Sequence, residues 1–219
     1  MNRRWSTFTL LSLLFSNGFI PGSVAGEDLP RAAPPPELVV AGSAPGDISV
    51  QYYDIDGATL AELKAEITRK GPTDKFGVRR DAFAAWHMTW RWPRGSAGEP
   101  LYGDTTVNCT GTVTLPRWEP PADSDPSVRS EWQRYIEAMM RHERRHLAHC
   151  FAERKNVRAA LERAHREDPD LTTEEANRIV RQILKQIHAK DRAYDTATDH
   201  GRNEGVRLQL TEANPRQAK

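Results

Sequence analysis

The chain has 219 residues, with 31 Lys and Arg against 30 Asp and Glu, a formal charge of +1 at neutral pH. So even a balance excludes the basic footprint of a nucleic-acid binder and the basic face that holds a protein on anionic lipid. With 38% apolar and 28% charged residues, it reads as one globular domain of ordinary size.

Arg3 and Arg4 open the chain, Phe8 to Ile20 is largely apolar, and Ser23-Val24-Ala25 offers the small residues of a signal-peptidase site. This is the layout of a secretory signal peptide over residues 1–25. The apolar run, about 13 residues, is too short for a membrane span. The mature protein is therefore expected to be periplasmic or secreted, with no stable membrane insertion. Pro30 and the run Pro34-Pro35-Pro36 mark residues 26–46 as a linker or arm. A folded domain is expected over 47–206, with 207–219 as a tail.

Within that domain, Ile48 to Tyr53 alternates as a strand does. Leu60, Leu63 and Ile67 follow at helical spacing until Gly71-Pro72 ends the helix. Phe83 to Trp92, with Trp86, Trp90 and Trp92 on one parity, predicts a second strand. Thr105 to Leu115, rich in β-branched residues, predicts a third. The Gly-Ser-Ala-Gly loop at 95–98 joins these two as an antiparallel hairpin. The tryptophans suit a one-sided aromatic core better than a substrate groove. If the third strand is a sheet edge, an extended peptide could add to it.

The second half reads as helical. One long helix runs from Pro126 or Ser127 to about Ala164, and Asp168-Pro169-Asp170 makes a turn. Thr172 and Glu175 form a capping box opening a last helix that Gly201 ends. Strands first and helices after point to an α+β fold: a small antiparallel sheet packed against a long helical hairpin. Cys109 and Cys150 are an even pair in an exported chain, which predicts a disulfide.

The chemistry sits at His142-Glu143-Arg144-Arg145-His146. Two histidines four apart on a helix present both imidazoles on one face, where they can ligate one zinc ion. Glu143 beside them is placed to act as general base toward the attacking water. With Trp132 as origin at about 100° per residue, Ile136, Met139, Glu143, His146, Leu147 and Cys150 share one stripe, with His142 at its edge. A charged helix whose histidines merely touch the core is the bland alternative.

A third ligand is needed. His149 lies about 10 Å along the helix axis from His142, too far to share one ion, and Cys150 fails for the same reason. An antiparallel hairpin centred near Asp168 sets His146 opposite position 190 and His142 opposite 194. Asp191, Tyr194, Asp195 and His200 arrive at that level. His200 is the favoured third ligand, Tyr194 a donor toward the developing oxyanion, and Asp195 an acceptor that orients a ligating imidazole.

Five segments in order strengthen this reading: Tyr53-Asp54-Ile55-Asp56-Gly57; Trp86-x-x-x-Trp90-x-Trp92; Thr114-Leu115-Pro116-Arg117-Trp118; His142-Glu143-x-x-His146; and Tyr194-Asp195-x-x-Thr198-x-His200-Gly201. Together they resemble the bacterial DUF922 family of predicted secreted zinc-dependent proteases, over roughly residues 48 to 206. The resemblance implies a zinc-dependent (Zn2+) peptidase with a peptide or protein substrate outside the cytoplasm, a zincin-like arrangement, and His200 as a ligand. Glu204 departs from the pattern, which has glutamine there, and is expected to lie clear of the site. A zinc amidase acting on cell-wall peptides, or a non-catalytic periplasmic protein that binds zinc or a partner, fits the same residues.

Overall fold

The computed structural model describes residues 38–74 and 77–210, together with the backbone of 5–8. The expected signal segment lies outside the described residues apart from Trp5–Phe8, and so does most of the expected arm. Leu38 and Val40, at the end of that arm, are buried in the core.

The fold is α+β, with a small sheet and three helices. Strands β2 (Ile48–Ile55), β3 (Phe83–Pro93) and β4 (Thr106–Trp118) form its body in the order β3-β4-β2, and β1 (Trp5–Phe8) pairs antiparallel along the outer edge of β3. β3 and β4 are the expected antiparallel hairpin, in register from Phe83 opposite Thr114 to Arg91 opposite Thr106. β2, however, lies parallel to β4, from Ile48 beside Gly111 to Ile55 beside Trp118. The sheet is therefore mixed, not wholly antiparallel. A parallel pair needs a crossover, and helix α1 (Leu60–Lys70) lies within it. β4 is consequently central between β3 and β2, so it is no edge to which a peptide could add. It also runs three residues further than expected, through Pro116 to Trp118.

Local chemistry sets the helix ends. Thr59 and Glu62 form a capping box at the start of α1, and Gly71 closes it. α2 (Pro126–Glu167) starts from the Asp125 cap with proline in its first turn. Its 42 residues make a rod of roughly 63 Å at 1.5 Å per residue. Trp132, Tyr135, Met139, His146, Leu147, Cys150, Val157 and Leu161 are buried along it at spacings of mostly three or four. After the turn at Asp168, Thr172 and Glu175 cap α3 (Thr173–Thr198) with the expected box. Ala176, Val180, Ile183 and Ile187 form its buried stripe.

α2 packs on β3, β4 and α3. The Gly111 position explains how closely it approaches the sheet: a Cβ there would come within 2.7 Å of Leu147 Cδ2. Trp90 and Trp92 are buried, as a one-sided aromatic core requires. Trp90 Nε1 donates to Asn177 Oδ1 at 2.8 Å, pinning α3 to the sheet. The Cys109–Cys150 disulfide joins β4 to α2 one turn beyond His146. Among the described residues no helix is long and apolar enough to cross a membrane.

Candidate metal centre

His142, Glu143 and His146 all lie on the buried stripe of α2, inside the hairpin with α3. The helical spacing brings the two imidazoles together, with Nε2 atoms 3.3 Å apart. α3 contributes Asp195, whose Oδ1 lies 3.3 Å from His142 Nε2 and 3.0 Å from His146 Nε2. Three ligand atoms of three residues thus converge on one point.

The outward ring nitrogens are held as well. A carboxylate can only accept, so His142 Nδ1 donates to Glu204 Oε2 at 2.9 Å, and His146 Nδ1 faces Asp191 Oδ1 at 3.3 Å. This turns both Nε2 atoms inward, toward Asp195. Four-coordinate zinc with bonds of about 2.0–2.1 Å sets its ligand atoms roughly 3.3 Å apart. The observed separations of 3.3, 3.3 and 3.0 Å fit that requirement.

Electrostatics follow from the same contacts. Burial alone would lower the His146 pKa, but Asp191 and Asp195 more than offset it and raise it to about 10. His142 is likewise raised: burial pulls it down, and Asp195 and Glu204 pull it up further. Burial works against the Asp195 charge, yet its bonds to His142 and His146 hold its pKa well below the usual carboxylate range. Glu143 is different. Burial pushes its pKa up, countered by His146, His142 and a hydrogen bond from the Ala84 N–H of β3. A buried carboxylate of raised basicity beside two imidazoles is what a general base needs.

The other residues singled out from the sequence divide. His200 sits just past the α3 end with φ 52°, its side chain half exposed and its Nδ1 3.9 Å from Asp195 Oδ1. Among the described residues, it belongs to neither group of His and acidic residues with converging ligand atoms. Those groups are His142, His146 and Asp195, and, one step along α2, His146, His149 and Asp191. His149 donates from Nδ1 to Asp191 Oδ1 at 2.7 Å. Trp86 Nε1 donates to Oδ2 of the same carboxylate at 2.9 Å, and the Trp86 ring stacks on His188. The Tyr194 ring lies nearly parallel to the His142 imidazole at 4.9 Å, and its hydroxyl donates to Glu204 Oε2 at 2.6 Å.

Glu204 was expected to lie clear of the site and instead touches two of its residues. The chain reverses after α3, through left-handed Asp199, His200 and Gly201, then a short 3₁₀ turn, Arg202–Glu204, and left-handed Gly205. That reversal carries Glu204 back onto His142. The only sequence signal for it was the pair of glycines at 201 and 205.

Residues 50–201 match the family model described as bacterial protein of unknown function (DUF922), and the chain belongs to that family. No curated protein and no solved structure matches.

Proposed function

We propose that this DUF922 protein is an exported zinc-dependent hydrolase of peptide bonds, with His142, His146 and Asp195 holding the metal and Glu143 acting as general base. One observation carries the reading: two imidazole Nε2 atoms and one carboxylate oxygen converge at zinc-ligand separations, while carboxylates hold both outward nitrogens. Zinc, when bound, would supply Lewis acidity toward a scissile carbonyl and acidify a water.

The chain's own groups do the rest. Asp191, facing Nδ1, keeps the His146 imidazole in the ligating orientation. Glu143, immobilised by the Ala84 N–H and kept basic by burial, takes a proton from the attacking water and returns it to the departing amine. Tyr194, beside His142, has the reach to stabilise an oxyanion only by leaving Glu204, so its hydroxyl serves the resting geometry first. The disulfide, which calls for an oxidising compartment, and the signal-like start support export.

Zinc content and hydrolysis of a peptide library, with wild type beside Glu143→Gln, test the proposal. The variant is expected to keep one zinc per chain and lose about 10²–10⁴-fold in turnover. Equal activity in both proteins would remove Glu143 from the chemistry. Zinc bound without turnover in either would leave a non-catalytic metal protein.

A further inference from the structure

We propose that Glu204 is a positioning residue for the metal centre, fixing the His142 ring so that Nε2 faces the metal. The inference rests on the zinc-site reading above, but its first observable does not need the metal.

Glu204 cannot itself be a ligand for the same ion. It binds His142 at Nδ1, on the far side of the ring from Nε2, and is absent from both converging groups. Its contribution is orientation. One oxygen, Oε2, accepts from His142 Nδ1 at 2.9 Å and from the Tyr194 hydroxyl at 2.6 Å. Tyr194 in turn lies flat against the His142 ring, at an interplanar angle of 20°. The imidazole is therefore held along its edge by a carboxylate and across its face by a phenol that the same carboxylate anchors.

The loop bearing Glu204 is built against this ring. Gly201 lies so close that a Cβ would meet His142 Cγ at 3.0 Å, while its φ of 80° already excludes most other residues. Val206 N–H closes back on the Gly201 carbonyl at 2.9 Å. Arg134 of α2 donates to the Gly205 and Arg207 carbonyls and is braced by Glu131, so the turn is tied to the helix that carries the histidines. Glu204 itself is 38% exposed and fills no core space. Its removal should thus disturb orientation and leave the fold in place.

Two measurements on Glu204→Ala and Glu204→Gln test this. In metal-free wild type, the imidazole ¹⁵N–¹H spectrum should show a slowly exchanging His142 Nδ1–H. Glu204→Ala should lose that signal. Zinc affinity by chelator competition should weaken about 10–100-fold in Glu204→Ala, and less in Glu204→Gln, which retains an accepting oxygen. The Tm of the metal-free protein should stay near wild type in both. A fall in that Tm with unchanged zinc affinity would make Glu204 a structural residue and overturn the proposal. Retention of the protected Nδ1–H and of wild-type affinity in Glu204→Ala would overturn it while leaving the zinc reading intact. A protected Nδ1–H in a wild type that takes no zinc would instead sink the zinc reading, and the proposed role with it.

Discussion

Asp195 and His146 meet across the helical hairpin, Oδ1 to Nε2, at 3.0 Å. The contact joins the centre of the His-Glu-x-x-His helix to the last full turn of α3, and the same oxygen reaches His142 at 3.3 Å. Sequence reasoning gave Asp195 the job of orienting an imidazole. Asp195 Oδ1 lies on the Nε2 side of both rings, while Glu204 and Asp191 face the Nδ1 atoms of His142 and His146.

A direct comparison of two alanine variants follows from this. Asp195→Ala should weaken zinc binding by more than ~100-fold, since it removes a proposed ligand and not merely an outer partner. His200→Ala, whose half-exposed ring stands 3.9 Å from Asp195, should lose less than ~10-fold. Chelator competition on both proteins reads the ranking. The reverse order would return the third-ligand role to His200.

The Cys109–Cys150 bridge closes a loop of 41 residues between β4 and α2. Both cysteines are buried, and the bridge lies one turn past His146. Replacing both by serine should cost about 2–4 kcal/mol through the freed unfolded chain. For a domain of this size that corresponds to a Tm fall of roughly 5–15 °C. The folded fraction should still bind zinc, because every proposed ligand comes from α2 or α3. Calorimetry beside zinc titration checks both halves. A variant with wild-type Tm would show that the bridge constrains little.

Much of this architecture was legible because its signals are local. The Thr172/Glu175 capping box, the Pro126 start of α2 and the Gly71 end of α1 are short-range chemistry, and each forms as read. The hairpin register was also readable: counting from Asp168 put positions 190 and 194 beside His146 and His142, and Asp191 and Asp195 are the residues that arrive. The parallel pairing of β2 with β4 was hidden, since it joins segments about 60 residues apart and leaves no mark on either strand's alternation. Glu204 was hidden for a different reason. Its reach depends on left-handed Asp199, His200, Gly201 and Gly205 and on the 3₁₀ turn between the two glycines, and only those glycines leave a trace in the sequence.

The acids around His146 should give the metal-free protein a distinctive pH profile. Asp191 lies 3.3 Å from Nδ1 and Asp195 3.0 Å from Nε2, and they hold the ring's pKa at about 10 against the opposing effect of burial. The unfolded value is about 6.5. A folded pKa above the unfolded one means that the stabilisation is complete below about pH 6.5 and fades as pH rises toward 10. The Tm of the metal-free protein should therefore fall between pH 7 and 9, and Asp191→Asn should flatten that slope by removing one of the two acids. Excess zinc should reverse the sign, because ligation displaces the proton and its stabilisation grows as pH rises. Thermal melts of both proteins across this window, with and without zinc, measure the slopes. A flat metal-free profile in wild type would mean that His146 is already neutral in the fold, and that the two carboxylates orient the ring without charging it.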